Sequence, residues 1–195
     1  MLKRVAFVIP TLDQSGAERQ LTLLATGLPR DEFQVKVIAL NRGGVFADQL
    51  RAAGIDVEVL GKRFRFDPLT YVRLRSSLKS FRPDVVQSFL FAANSYARLP
   101  GIPPAGCKIV VSERCVDSWK SGWQFTVDRK LIPRTSAMTA NSDSVSEFYC
   151  NVGIPRELIT VIPNAMPIQE SDYTCAQARE ILGLEPHHKV VGFAG

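Results

Sequence analysis

The chain has 195 residues, of which 46% are hydrophobic and 22% are charged, an ordinary balance for a globular protein with one well-buried core. No apolar run approaches the roughly 20 residues that are needed to span a bilayer. The apolar piece after the basic N-terminus is too short for a signal peptide, so we expect a cytoplasmic protein.

The cysteines and histidines show no spacing that is typical of a metal site. The four cysteines include no C-x-x-C pair, and the only histidines, His187 and His188, are adjacent. The cysteines fit reduced thiols better than disulfides or a zinc site. We therefore expect no metal centre.

Apolar runs of strand length recur in chain order. They are RVAFVI (4–9), QVKVIAL (34–40), IDVEVL (55–60), DVVQSF (84–89), KIVVSE (108–113), SAMTAN (136–141) and ITVIPN (159–164). Segments with helical spacing separate them. This alternation predicts an α/β fold, namely a Rossmann-like open parallel sheet with helices on both faces.

Caps and chain breakers delimit several of the expected helices. Gly54 should close a short helix at its C′ position. Asp67 and Pro68 are typical of a helix start, and the helix that they open should run to about Phe81. Its expected buried face consists of Leu69, Val72, Leu78 and Phe81.

The pattern changes after Asn164. AMPIQESDYT reads as a linker, and CAQAREILGL reads as a helix with Thr174 and Gln177 in a capping box. The last run, HKVVGFAG, is typical of a strand that has nothing after it to pair with. We therefore expect one domain over 1–170, and over 171–195 a linker, a helix and the first strand of a truncated second domain.

The loop DQSGAER follows the first strand. Ser15 and Glu18 have the spacing of a capping box, which would direct free backbone N–H groups to the sheet edge where such folds bind anions. A plain capped helix explains the same residues. A dinucleotide site fits poorly, because the loop has one glycine where G-x-G-x-x-G needs three.

Six motifs in chain order resemble GT-B glycosyltransferases of family four. They are SGAERQLTLLATGL (the family's G-G-A-E-R signature), RPDVVQSFLFAANSYARL, IVVSER, TANSDSVSEFYCNVGI, ITVIPNAM and VVGFAG. The resemblance implies a retaining hexosyltransferase whose N-terminal domain binds a glycan or lipid-linked acceptor. Its second domain binds the nucleotide-diphosphate-sugar donor, and no cofactor is required. The chain would then be the acceptor-binding half, inactive alone.

The resemblance also indicates candidate site residues. Ser15, Gly16 and Ala17 correspond to the loop near the donor phosphates, although Ser15 replaces a glycine that is frequent in the family. Glu113 and Arg114 are candidates for positioning the acceptor, and no catalytic residue is assigned. The QSF and SER segments lack the histidine of many relatives, which excludes a histidine acid–base in this half. Further candidates for the acceptor cleft are Asp13, Asn94, Trp119, Asn141, Ser142 and Asn164.

Simpler roles account for several of these candidates. Glu113 suits an ion pair with Arg114 or another cation equally well. Asn141 and Ser142 suit a helix N-cap, and Asn164 suits a turn. Trp119, and with it Trp123, suits packing of its loop onto the domain.

Basic residues concentrate between positions 62 and 82, where Asp67 is the only acidic residue. They are Lys62, Arg63, Arg65, Arg73, Arg75, Lys79 and Arg82. Because the whole chain carries only +5, the remainder is close to neutral. With two interleaved phenylalanines, the segment suits an anionic membrane surface and predicts peripheral contact with the inner face of the membrane. A solvated helix face explains the charges as well.

Two other functions use the same features. A nucleic-acid-binding module would also use arginine, lysine and phenylalanine, but no nucleic-acid motif accompanies them, so we expect no nucleic-acid partner. A nucleotide-sugar epimerase would share the GT-B fold, although the SGAER loop favours transfer. The sequence does not indicate an oligomeric state.

Overall fold

Seven parallel strands form one open sheet in the order β3-β2-β1-β4-β5-β6-β7. The structure is a computed structural model that describes residues 2–167 and 171–192. The strands are β1 (Lys3–Thr11), β2 (Phe33–Arg42), β3 (Asp56–Val59), β4 (Val85–Phe89), β5 (Lys108–Glu113), β6 (Ala137–Ala140) and β7 (Ile159–Val161). The predicted Rossmann-like α/β fold is confirmed.

Helices connect consecutive strands, and one more helix follows the last strand. They are α1 (Gly16–Gly27), α2 (Val45–Ala52), α3 (Pro68–Phe81), α4 (Leu90–Ala97), α5 (Gly122–Leu131), α6 (Asp143–Asn151) and α7 (Cys175–Ile181), with 3₁₀ turns at Ile132–Arg134 and Arg156–Leu158. Gly54 follows α2 with φ +75°, as predicted for a C′ glycine. None of the described helices is long and apolar enough to cross a bilayer.

The two faces of the sheet carry separate cores because successive strand residues point to opposite sides. On one face Phe7 and Ile9 of β1 pack with Leu21 of α1. On the other face Val8 of β1 packs with Leu74 of α3. Strand order reverses between β1 and β4, so the carboxyl ends of these two strands flank the crevice where open α/β sheets bind ligands.

Helix α3 begins as predicted, but only half of its predicted buried face is turned inward. The Asp67 carboxylate accepts hydrogen bonds from the backbone N–H groups of Leu69 and Thr70. Leu69 and Val72, predicted to be buried, are 62% and 60% exposed. Leu78 is buried as predicted and Phe81 partly so, while the rest of the inward face consists of Thr70, Leu74 and Ser77. Two hydroxyl residues can lie inward here partly because Ser77 Oγ donates to Glu58 Oε2 at 2.5 Å.

The chain divides into two compact units, the first ending at Ala165 and the second beginning at Met166. In the second, Thr174 and Gln177 form the predicted capping box at the start of α7. The strand expected over 188–195 is not found at 188–192, and 193–195 lie outside the described residues. The domain boundaries proposed from the sequence stay predictions.

Candidate functional site at the carboxyl edge of the sheet

Glu18, in the first turn of α1, is buried under the loop between β1 and α1. Ser15 occupies the N-cap position, but its side chain does not cap the helix. Its hydroxyl donates to the Glu18 carboxylate, which also accepts from Thr11 Oγ1 at 3.0 Å. The predicted capping box is therefore wrong, because two hydroxyl donors turn the buried Glu18 towards the loop. The first N–H groups of α1 have no intrahelical partner, and Ser15 leaves them available to a ligand.

Gly16 opens α1 on the exposed side of this loop. A β-carbon at Gly16 would meet no atom within 4 Å, so the space beside the helix start is free. Asp13, a cleft candidate, is instead paired with Arg42 of β2, whose Nη2 lies 2.5 Å from Asp13 Oδ2. This hydrogen bond lowers the pKa of Asp13.

Glu113, at the end of β5, lies under the surface and is only 1% exposed. Its Oε1 accepts a hydrogen bond of 2.9 Å from Nδ2 of Asn94, which is also fully buried. Its Oε2 lies 3.5 Å from Lys120 Nζ. The sequence analysis allowed an ion pair of Glu113 with Arg114 or another cation, and the partner is Lys120.

Lys120 occupies a buried cage of acidic and phenolic groups. Its Nζ lies 2.7 Å from Asp117 Oδ2 and 3.6 Å from Asp128 Oδ2. It also donates to Tyr149 Oη at 2.7 Å. Lys120 thereby fastens the loop that follows β5 to α5 and α6.

Arg98 completes this cluster at the end of α4. Its Nη2 lies 2.6 Å from Asp128 Oδ1, and its Nε donates to the Asn94 carbonyl at 2.8 Å. The sequence analysis missed Arg98, Lys120, Asp117, Asp128 and Tyr149. One signal was available, since Arg98 is the only charged residue in the otherwise apolar and small segment AANSYARL.

The cluster contains two cations and three carboxylates, so one negative charge is in excess when all are ionised. Burial raises the pKa of Glu113 to about 7, and the carboxylates of Asp128 and Asp117 act in the same direction against the attraction of Lys120. Burial alone would lower the pKa of Lys120, but the carboxylates of Glu113 and Asp128 raise it. Lys120 therefore stays charged, while Glu113 exchanges a proton near neutral pH.

Three other candidates meet where β5, β6 and β7 end. Asn141 Nδ2 donates to the Arg114 carbonyl at 2.9 Å, and Arg114 Nη2 donates to Asn164 Oδ1. Burial lowers the pKa of the half-buried Arg114. Ser142 is the N-cap of α6 and accepts from the Val145 N–H at 3.3 Å, which confirms the simpler role predicted for it.

The turn that carries Asn164 lies against α1. The Gln20 amide donates to the Ala165 carbonyl at 2.7 Å and accepts from the Ala165 N–H at 2.8 Å. The structure therefore brings the first loop, Arg114, Asn141 and Asn164 to the same edge. Trp119 lies in the loop between β5 and α5 and is 69% exposed.

The basic residues extend along α3 and do not gather at one point. Arg63 and Arg65 precede the helix at the carboxyl edge, whereas Lys79 and Arg82 lie at its far end. Arg73 Nη1 donates to the Leu60 carbonyl at 2.6 Å, and Arg75 Nε to the Gly101 carbonyl at 3.0 Å. All except the half-buried Lys62 remain exposed.

In the second unit Glu185, His187 and His188 present ligand atoms within 4.8 Å of one another. All three are exposed, and exposed clusters of this kind are common without an ion. The predicted absence of a metal centre stays a prediction.

Known proteins with similar sequences and structures agree with this architecture. The sequence profile of Glycosyltransferase Family 4 matches residues 14–170. A curated relative from Campylobacter jejuni is named GalNAc-alpha-(1->4)-GalNAc-alpha-(1->3)-diNAcBac-PP-undecaprenol alpha-1,4-N-acetyl-D-galactosaminyltransferase and is 30% identical over 164 residues. This match covers 76% of the chain and 43% of the relative, so the chain spans less than half of that protein.

Solved structures share the fold. HepE from Anabaena in complex with UDP superposes with a TM-score of 0.76 at 21% identity, covering 92% of this chain and 50% of that one. The UDP-GlcNAc 2-epimerase of Methanocaldococcus jannaschii gives a TM-score of 0.55 at 12% identity, covering 83% and 46%. At these identities the likeness concerns the fold alone. On the family match and this fold, the chain belongs to glycosyltransferase family 4 and forms an N-terminal domain of the GT-B type.

Proposed function

We propose that this chain is the acceptor-binding half of a retaining hexosyltransferase. The donor is a nucleotide-diphosphate sugar, the acceptor is a glycan or a lipid-linked glycan, and no cofactor takes part. The observation that carries this proposal is the family match over 14–170, because it covers the first unit from residue 14 onwards and with it most of the candidate site. The name of the Campylobacter relative, which acts on a glycan linked through diphosphate to undecaprenol, supports the lipid-linked acceptor.

The residues divide into two roles in this proposal. The free N–H groups at the start of α1 face the diphosphate, whose negative charge they favour. Arg114, Asn141 and Asn164 offer hydrogen bonds to acceptor hydroxyls at the ends of β5 to β7. Glu113 points inward, so its role is to hold Asn94 and the loop fastened by Lys120 in position.

The chemistry requires no base from this half. The acceptor oxygen bonds to the anomeric carbon on the face from which the bond to the diphosphate breaks. The proton of the acceptor hydroxyl passes to the leaving phosphate oxygen. What this half supplies is orientation, which is effective because a well-positioned nucleophile lowers the entropic part of the barrier.

The exposed face near α3 is proposed to rest on an anionic membrane. Phe64 and Phe66 are 68% and 75% exposed, and Leu69 and Val72 continue the apolar surface along the helix. Basic residues flank this surface, namely Arg63, Arg65, Arg73, Arg75 and Lys79. Apolar insertion combined with attraction to anionic headgroups is the usual basis of reversible membrane binding. This position would bring the domain to a lipid-linked acceptor.

Binding and transfer can be measured separately. The purified chain should bind a polyprenyl-diphosphate-linked glycan, bind UDP-sugars weakly, and transfer no sugar alone. The complete protein that contains this chain, here called the gene product, should transfer sugar to that acceptor with retention of configuration at the anomeric carbon. Transfer by the chain alone would overturn the division of roles. Conversion of UDP-GlcNAc to an epimer in the absence of an acceptor would show that the reaction is epimerisation and not transfer.

A further inference from the structure

A groove of about 620 Å³ lies between the start of α3, α4 and α5. Its size falls in the range of small-molecule sites, roughly 300–1,000 Å³. Five aromatic side chains line its walls, namely Phe66, Tyr71, Phe91, Tyr96 and Trp123. The candidate site described above does not use this groove.

The groove begins at the edge of the sheet where the candidate site lies. Phe91 and Trp123 stand in the first turns of α4 and α5, and their rings meet edge-to-face at 5.5 Å. From there the groove follows α5 to Leu131, about 12 Å away at 1.5 Å per helical residue. An elongated apolar ligand therefore fits its shape, with one end at the carboxyl edge.

The mouth is basic. The Arg65 guanidinium lies 5.2 Å from the centre of the Trp123 ring, and Lys62 Nζ lies 5.8 Å from that of Tyr96. Arg63 follows Lys62 and is exposed. A ligand with an anionic head and an apolar tail is complementary to this arrangement, since its head would meet the cations while its tail follows the groove.

The groove has a rigid floor. The fully buried ion pair between Arg98 and Asp128 joins α4 to α5. The Asp67 N–H donates to Tyr96 Oη at 2.9 Å and so attaches the start of α3 to α4. Because all three walls are linked in this way, the groove exists without a ligand and binding requires little rearrangement.

We propose that this groove binds the first isoprene units of a polyprenyl diphosphate, with the diphosphate held by Lys62 and Arg65. This inference rests on the proposed function, in which the acceptor is carried by a lipid. A groove of this volume is too small for a protein helix, which is about 10 Å wide with its side chains. The exposed Phe66 in its wall and the nearby exposed Phe64 place the groove beside the surface proposed to meet the membrane.

Fluorescence of Trp123 can report binding, because Trp119 and Trp123 are the only tryptophans in the chain. In a Trp119→Phe background, geranylgeranyl diphosphate should cause a saturable change, while inorganic diphosphate and geranylgeraniol should bind at least tenfold more weakly. Oleoyl lysophosphatidic acid tests an acyl chain in place of an isoprenoid. Binding of this lipid as tightly as geranylgeranyl diphosphate would overturn the isoprenoid assignment.

Ala92→Phe fills the groove and should weaken binding of geranylgeranyl diphosphate by tenfold or more. Ala52→Phe, at an exposed position in α2, is the matched control and should leave binding unchanged. Arg65→Gln should weaken binding of geranylgeranyl diphosphate more than binding of geranylgeraniol. If Ala92→Phe does not fold, Val127→Phe fills the same groove from α5. Unaltered binding in the folded filling variant would refute the proposal.

Failure of the groove and failure of the proposed function are distinguishable. If the gene product transfers sugar to a lipid-free glycan but does not bind geranylgeranyl diphosphate, only the proposed role of the groove is refuted. If Ala92→Phe abolishes binding of geranylgeranyl diphosphate but the gene product transfers sugar to no glycan, the role of the groove is supported and the proposed reaction is refuted.

Discussion

Asn94 Nδ2 donates a hydrogen bond of 2.9 Å to Glu113 Oε1, and so joins the helix after β4 to the last residue of β5. Both side chains are buried, and the second carboxylate oxygen of Glu113 faces Lys120 at 3.5 Å. The contact connects two strand ends beside the reversal of strand order. The proton that Glu113 exchanges therefore bears on the stability of the region that forms the candidate site.

Replacing Glu113 by glutamine should remove a pH dependence of stability. The pKa of Glu113 in the folded chain is raised from 4.5 to about 7, so the folded state holds the proton more tightly. Its contribution is fully present below pH 4.5 and is lost as pH rises through about 7, with roughly 3 kcal/mol at stake from 1.36 kcal/mol per unit. Denaturant unfolding of both proteins from pH 4 to 8 checks this. Parallel curves would show that Glu113 does not titrate in this range.

Lys120→Met should destabilise the fold strongly. Removal of its charge leaves the buried carboxylates of Glu113 and Asp117 without this cation, while Asp128 keeps its pair with Arg98. Breaking one side of a buried ion pair costs about 3–5 kcal/mol. The matched control is Lys130→Met on the exposed face of α5, which should change the free energy of unfolding by less than about 0.5 kcal/mol. Equal losses of unfolding free energy in the two variants would contradict the stabilising role of Lys120 in its buried cage.

Gly44→Ala should be destabilising, whereas Gly43→Ala should be tolerated. A β-carbon at Gly44 would lie 2.5 Å from the Leu12 carbonyl oxygen, and its φ of +155° is one that L-residues rarely adopt. We expect a loss of about 1–3 kcal/mol. At Gly43 the nearest atom would be the Ala47 β-carbon at 3.4 Å, an ordinary contact. Thermal melts of both variants compare them directly, and a stable Gly44→Ala would show that the first loop can move aside.

Gly16→Val should impair transfer without harming the fold. The position is helical and open, so stability should change by less than about 1 kcal/mol. In the gene product, the added methyl groups should displace the donor diphosphate and lower kcat roughly a hundredfold. Gly27→Val, equally open at the other end of α1, is the control. Near-normal turnover by Gly16→Val would mean that this loop only begins a helix.

Phe64→Ser combined with Leu69→Ser should weaken binding to vesicles that contain phosphatidylglycerol. Both side chains are more than half exposed, and withdrawing them from the bilayer should reduce the partition coefficient by roughly tenfold or more. Val45→Ser, exposed at the start of α2, should have no effect. Higher salt should weaken the wild type as well, because it screens the basic residues. Sedimentation with vesicles measures all three proteins.

Local sequence was sufficient for the seven strands of the sheet, for the helices between them and for some of their caps, although the capping box predicted from Ser15 and Glu18 did not form. The runs around β1 to β7, the Asp67 cap and Gly54 were all legible because their signals lie within a few residues of one another. The face of α3 was not. Thr70 and Ser77 point inward, and nothing near Ser77 in the sequence indicates that Glu58 of β3 accepts its hydrogen bond.

The buried cluster shows what only the tertiary structure decided. Glu113, Lys120, Asp128 and Tyr149 come from a strand end, a loop and two helices, and of these four the sequence analysis singled out only Glu113. Burial makes a charge costly unless it is paired, so the identity of each partner determines both the stability of the fold and the pKa of the buried group. Those partners are selected by the packing of distant segments. The sequence alone therefore determined the α/β order and the family resemblance, while packing determined which charges lie inside.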